Sequence, residues 1–386
     1  MSNLKIELIG STKPGFVLPK NEALKDGGMS AAICYMRETY EEIQKEKGEE
    51  TDARIKRTLR GGHHSVYDHT NYNLLVSGLP KILAMVLNNE RMYATSEKSA
   101  RYTQMEPGQT EKELYNKWMK VFCEEIEKIY PQIPQQKREK LAQENARYLT
   151  SVFTPTSIKY TTSFRQLNYI MHRFEHFIKI EPNTTFNEKL KKEMDSFNEQ
   201  LKEFYVEELA PNLRLRELSL FAKRAEFNKS FDEVYSTNYK NSLAYLAQAH
   251  RHRTLNYQMQ PIKDTPTEFF VPPILLGDNK QIDEWSSDME RVADLFPQGS
   301  IIQINERGTY ENFISKAMER LCSQAQLEIA LRTKETLTEY INATNKTNPR
   351  VYEELKKYSN GPRCTFPGYV CQNPCNFGTK SLERLI

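Results

Sequence analysis

Gln248-Ala249-His250-Arg251-His252-Arg253 is the stretch on which the reading of this chain turns. Two arginines flank a histidine, and such neighbours repel one another when packed together. Arginine stays charged, and its planar fork suits phosphate, carboxylate or an aromatic face. A histidine held between two arginines is expected to stay neutral, because like charges disfavour a third. The preceding run from Asn241 to Ala247 reads as the last turns of a helix. Basic residues at a helix C-terminus also complement the macrodipole. The cluster alone therefore has two readings, a solvated helix end or a site for an anion.

Outward from that cluster, the chain has 386 residues, 38% of them hydrophobic and 27% charged. That length and composition predict two or three folded domains with real cores. Net charge is +3, with 54 Lys and Arg against 51 Asp and Glu, and no block of like charge. A nonspecific nucleic-acid binder would be more basic, whereas a small phosphorylated ligand needs only a local cluster. The first ten residues lack the basic and long apolar regions of a signal peptide. The most apolar stretch, Leu74 to Leu87, is too short to span a bilayer and contains Lys81. A cytoplasmic protein with reduced cysteines is expected.

Taken in order, Leu4–Ile9, Asn71–Ser77, Thr150–Thr162 and Ser300–Ile304 read as strands. Helices are expected over Met29–Lys45, Asp52–Gly61, Lys81–Glu90, Glu111–Ile129, Gln136–Leu149 and Ser163–Phe177. Phe186–Leu209 reads as a long charged helix connecting two halves, with further helices over Ser242–His250, Met289–Phe296 and through Arg320–Ile329. His63, His64, Asp68 and His69 cluster between two of these elements, but not at the spacing of a metal-binding helix, so no metal is expected. The polar run Arg91 to Thr103 reads as an extended loop. Alternation would point Glu97, Ser99 and Arg101 the same way, as groups for a polar ring, a sugar and a phosphate. The plainer reading is an exposed loop with one weak Glu–Arg pair.

The order of elements recurs after Pro211. Helix Ser242–His250 and its basic cluster stand where Lys81 to Arg91 stood. Arg291 echoes Arg147, and Asn305-Glu306-Arg307 echoes Ser163-Phe164-Arg165. The expected organisation is residues 1–185, a helical connector 186–209, and residues 210–386. The fold class is α/β (α+β), two tandem units, each a small antiparallel sheet with flanking helices.

At this point the residues resemble the flavin-dependent thymidylate synthases. Arg251-His252-Arg253-Thr254-Leu255-Asn256-Tyr257 is similar to the first part of that family's signature, with Asn256 where Ser is usual. Glu97-Lys98-Ser99-Ala100-Arg101-Tyr102 is similar to its second part, and there the basic triplet has become Asn89-Glu90-Arg91, with Ala94 at the signature Ser. His63 through His69 resembles the segment before the signature. Asn305 to Arg307 and Arg320 through Ile329 resemble late motifs, with an extra turn between them.

The resemblance implies transfer of a methylene from methylenetetrahydrofolate to dUMP, with FAD as cofactor and NADPH as reductant. It implies dUMP held by Glu97, Ser99, Arg101, Gln248, Arg251, Arg291 and Arg320. It implies FAD held by Ser65, Asp68, Arg165, Arg251, His252, Arg253, Asn305 and Arg307, with Arg251, Arg320 and Ser99 nearest the chemistry. Four family chains build shared sites, so a fused pair would form a homodimer resembling that tetramer. Each half keeps motifs that the other has lost. No cysteine lies in the motifs, so no thiolate nucleophile is expected. The alternatives are a non-catalytic flavin- or nucleotide-binding paralogue, a related one-carbon transferase acting on another pyrimidine nucleotide, or a structural helical protein with basic caps. The tail cysteines Cys364, Cys371 and Cys375 would need a fourth ligand to hold zinc and read as small hydrophobes instead.

Overall fold

Strand β1 (Lys5–Ser11) opens the chain. The computed structural model describes residues 3–12, 16–35, 39–100, 103, 105–221 and 229–386. Helix α1 (Lys20–Tyr35) begins nine residues before the expected helix, and α2 (Tyr40–Ile43) is a separate turn. The pair Gly27-Gly28 lies inside α1 for a packing reason. A Cβ on Gly27 would come within 2.3 Å of the Tyr67 ring, and one on Gly28 within 2.8 Å of Ile55. Helix α3 (Gly48–Arg60), a 3-10 turn at His64–Asp68, β2 (Asn71–Pro80) and α4 (Lys81–Leu87) follow.

Residues Tyr93–Glu97 are not loop but strand β3, because their backbone finds a full ladder on β4 (Pro155–Ser163). Between them lie the amphipathic helices α5 (Gln109–Ile129) and α6 (Gln135–Ala146). Ser163 then caps α7 (Phe164–Ile180), accepting from the Gln166 amide at 3.1 Å. The expected connector is α8 (Thr185–Leu201), which buries Phe186, Leu190, Met194, Phe197 and Leu201 along one face, so it is a packed helix.

Beyond it come β5 (Val234–Ser242), α9 (Leu243–Ala249), β6 (Asn256–Met259), α10 (Asn279–Glu290) and β7 (Ile301–Thr309). Of the helix expected at Met289–Phe296, only Met289 and Glu290 lie in α10, and Ala293–Leu295 forms a separate 3-10 turn. Helix α11 (Tyr310–Arg320) stops at Leu321, α12 (Leu327–Thr347) restarts after it, and α13 (Pro349–Lys356) precedes the tail.

These elements sort into two compact units. One holds residues 1–98 and 155–219; the other holds 99–154 and 220–386. In the first unit an antiparallel sheet of order β1-β2-β4-β3 carries Tyr72, Leu74, Val76, Ile158 and Tyr160 in its core. In the second unit the sheet order is β5-β7-β6. Its helical core joins α5, α6 and α10, with Trp118 and Trp285 fully buried and their rings 4.8 Å apart, edge to face. Both sheets share one connectivity. A strand (β2 or β5) leads into a seven-residue helix (α4 or α9), then a short strand (β3 or β6), and both strands pair with the later central strand (β4 or β7). The strand alignment corrects one sequence equivalence. Ser163 and Thr309 are the matching caps at the ends of the central strands, so Asn305-Glu306-Arg307 matches Lys159-Tyr160-Thr161 and not Ser163-Phe164-Arg165.

Candidate functional site

Helix α9 is set rigidly before it delivers the basic turn. Ser242 caps it, accepting from the Tyr245 amide at 3.0 Å. The buried Glu328 carboxylate in turn accepts from the Ser242 amide at 2.8 Å and its hydroxyl at 2.6 Å. All seven residues of α9 are buried. Gln248 in its last turn is 4% exposed, and among the described residues neither its amide oxygen nor its nitrogen has a hydrogen-bond partner. An unsatisfied buried amide costs about 1–3 kcal/mol, so these two atoms are placed to take a ligand group or an ordered water.

One turn further, Arg251 is exposed, and among the described residues it makes no hydrogen bond or ion pair. His252 is buried and accepts from Arg320 Nε at 2.6 Å on its Nε2. Its proton must then sit on Nδ1, which lies 3.8 Å from Glu319. The imidazole pKa is pushed down to about 2, first by burial, then by the Arg320 and Lys316 charges. The histidine is neutral, as its sequence neighbours suggest, but the dominant cause is burial and the charges come from α11. Arg253 is exposed.

Beneath this turn lies a buried cluster that the sequence reading missed. Lys316 and Glu306 are fully buried and 2.6 Å apart. Glu306 also accepts from Tyr235 at 2.6 Å and Tyr239 at 2.5 Å, and Lys316 donates to Tyr245 at 3.1 Å. The signal was present as Tyr235 and Tyr239 on one strand face, and as Lys316 one helical turn before Arg320. Next to Glu306, Asn305 is buried and spends its amide on Ser236 at 3.0 Å, Thr237 at 3.2 Å and Asn238 at 2.9 Å. That engagement makes Asn305 a sheet-locking residue in this state. Arg307 lies opposite Asn256 on β6, the position where the family signature has Ser.

Other expected residues stand elsewhere. Arg291 is the C-cap of α10, half-exposed, 3.1 Å from Asp288, which also takes Trp118 Nε1 at 2.9 Å. Among the described residues it makes no hydrogen bond or ion pair with the Arg-His-Arg turn. Ser99 opens a turn in the second unit, with Thr103 N bonding its carbonyl at 2.9 Å. A cavity beside it is lined by Ala100, Lys112, Tyr115, Gln143, Arg147 and Thr150. Arg101 lies outside the described residues.

In the first unit, Asp68 pairs with Arg165, whose Nε is 2.9 Å away, and takes the Ser163 hydroxyl at 2.6 Å. Ser65 is exposed on the same 3-10 turn. Glu97 ends β3 and is not on a loop; its carboxylate is tied to Lys81, with Asn88 at 3.5 Å. His64 is a satisfied core histidine between Tyr169 Oη at 3.1 Å and the Leu59 carbonyl at 3.0 Å. Among the described residues no group of His, Cys, Asp and Glu is arranged to hold a metal ion, and no helix is long and apolar enough to cross a membrane.

Residues 20–211 match the family described as Thymidylate synthase complementing protein. Residues 20–211 belong to that family. Flavin-dependent thymidylate synthases from Thermococcus onnurineus and Pyrococcus abyssi are each 24% identical to it, over 181 and 153 residues. Those alignments cover 44% and 36% of this chain, and 69% and 61% of the relatives' own lengths. Two solved structures are each 17% identical and cover 53% of this chain. They are a UMP/dUMP methylase from Streptomyces cacaoi (TM-score 0.34, 92% of that chain) and Thymidylate Synthase X from Helicobacter pylori with FAD and dUMP (TM-score 0.32, 94% of that chain). The family match lies on the half that carries Asp68, Arg165, Glu97 and Ser99, and not on the Arg-His-Arg turn.

Proposed function

We propose that this chain is a flavin-dependent transferase that converts dUMP to dTMP, with methylenetetrahydrofolate as carbon donor and NADPH as reductant. One observation carries the reading. Helix α9 ends with the unsatisfied buried amide of Gln248 and, one turn on, with Arg251, an exposed cation that has no partner among the described residues. An amide and a guanidinium spaced along one helix end suit a phosphorylated pyrimidine, one fork to the phosphate and the amide to a polar edge.

The residues present fit a flavin in part. Arg251, Arg253 and the neutral His252 offer a cationic edge to an anionic ring system or diphosphate, whereas Asn305 and the Asp68–Arg165 pair are already engaged. When bound, FAD supplies the hydride that completes the methyl group. The chain's own part is to orient the nucleotide, with Arg320 steered by His252 and the Arg251 fork on the phosphate.

The shared connectivity of the two sheets supports a tandem duplication, and a homodimer resembling the family's tetramer follows from it. The Glu97–Lys81 pair is the observation that favours a second reading, a binding protein without turnover. Purified protein titrated with FAD and dUMP tests the first claim, through a flavin absorption spectrum that shifts with the nucleotide. Release of tritium from 5-labelled dUMP in the presence of the folate and NADPH separates catalysis from binding. A chain that binds neither FAD nor dUMP contradicts both readings.

A further inference from the structure

The two short helices α4 and α9 align residue for residue, because each has seven residues and joins the same pair of strands. The ladders agree with that alignment. Thr95 faces Tyr160 on the central strand of the first sheet, and Tyr257 faces Glu306 in the second. Tyr160 and Glu306 each stand three residues before the capping Ser163 and Thr309. Counted from the helix starts, Val86 falls at the place of Gln248, Asn89 at Arg251, Glu90 at His252 and Arg91 at Arg253.

At the places of Gln248 and Arg251 the first half carries residues that are satisfied internally, and at the place of the buried His252 it carries a carboxylate. Val86 is a fully buried apolar residue where Gln248 has an open amide. Asn89 donates to the Ser219 hydroxyl at 2.7 Å, where Arg251 has no partner among the described residues. Glu90 is 3% exposed and pairs with Arg173 of α7 at 3.0 Å. It also accepts from the Ser219 amide at 2.6 Å and hydroxyl at 2.9 Å. Arg173 is the tenth residue of α7, and Arg320, which His252 meets, is the eleventh of α11. In the second half the residue facing the helix arginine is a neutral imidazole; in the first it is a carboxylate with an arginine and two further donors on it.

We propose that Glu90 is a resident carboxylate that closes, in the first half, the anion site that the second half keeps at Gln248 and Arg251. Each chain then takes one phosphate-bearing ligand at these paired places and not two. The inference rests on the reading of the Arg-His-Arg turn as a phosphate site. It adds that the other copy is shut by charge, and names the residue that shuts it.

Calorimetric titration with inorganic pyrophosphate counts the sites. The wild-type chain is expected to bind one equivalent and Arg251→Ala none; if the wild type binds none, or Arg251→Ala still binds, the phosphate-site reading itself fails. Within the Arg251→Ala chain, Asn89→Arg alone should bind none, because Glu90 is still in place. Asn89→Arg with Glu90→His should regain one equivalent, and a folded variant that does not regain it, or binding by Asn89→Arg alone, overturns the proposal. Circular dichroism reports whether the double variant folds. If it does not, His252→Glu in the otherwise wild-type chain decides, since a carboxylate there should abolish pyrophosphate binding, and retained binding overturns the proposal.

Discussion

Arg251 and His252 are adjacent, yet the chain treats them oppositely. One is left to solvent and the other is buried against Arg320. Removing the Arg251 fork should weaken dUMP binding by about 2 kcal/mol, roughly thirtyfold, as expected for a lost charge-assisted pair. Lysine should restore little, because it lacks the planar fork. Equal dUMP dissociation constants for wild type and Arg251→Ala would remove Arg251 from the site. His252 makes a pH prediction. Its folded pKa of about 2 lies below the ordinary 6.5, so the unfolded chain binds the extra proton. The stability this contributes is complete above pH 6.5 and declines as pH falls toward 2. His172 is also pushed down, chiefly by burial, and adds a slope of the same sign. His252→Gln should therefore flatten, without abolishing, the loss of unfolding free energy between pH 7 and pH 5, measured by urea titration. Parallel profiles for the two proteins would show that His252 does not titrate on unfolding.

At the scale of elements, β5, β7, α9 and α11 are tied through Glu306 and Lys316. A buried pair of this kind adds little over a well-packed apolar substitute, but breaking one side is costly. Glu306→Gln leaves Lys316 buried without its counter-charge and should cost about 3–5 kcal/mol. Glu306→Leu combined with Lys316→Met should cost less than either replacement alone. Denaturation midpoints of the three variants check this, and a double variant worse than both singles would contradict it. The same network explains why β5 escaped the sequence reading. Its inward positions Tyr235, Thr237, Tyr239 and Asn241 are polar or amphipathic, since two of them serve Glu306 and Asn241 donates to Glu328 at 3.0 Å. A strand whose buried face carries hydroxyls gives no apolar alternation to read. Strand β3 was hidden for a related reason, because only its ladder with β4 distinguishes Tyr93–Glu97 from a polar loop.

At the scale of the whole molecule, the units do not follow the order of the chain. Residues 99–154 belong with 220–386, because α5 and α6 bury Trp118, Phe122 and Ile126 against Trp285 and Met289 of α10. A fragment ending at residue 211 holds every residue of the family match but lacks α10. Its one tryptophan, Trp118, is fully buried in the intact chain. The fragment should show red-shifted Trp118 emission and early proteolysis within 99–154. A blue-shifted, protease-resistant fragment would mean that α5 and α6 have their own core.

By itself the sequence determined the features that depend on near neighbours. The short helix leading into Arg251-His252-Arg253, the helix starts at Ser163 and Ser242, the amphipathic α5 and α6 and the recurring order of elements all follow from local pattern and short-range hydrogen bonds. The match of residues 20–211 to its family rests on the same linear information. Tertiary structure decided whatever depends on which distant group arrives. It put Arg320 on His252, Lys316 on Glu306, Lys81 on Glu97 and Arg173 on Glu90. Each of these pairs joins a helix to a strand or turn. A carboxylate, an imidazole and a guanidinium look equally available along a chain. Only the fold determines which one faces a partner in a dry interior, and which is left to meet a ligand.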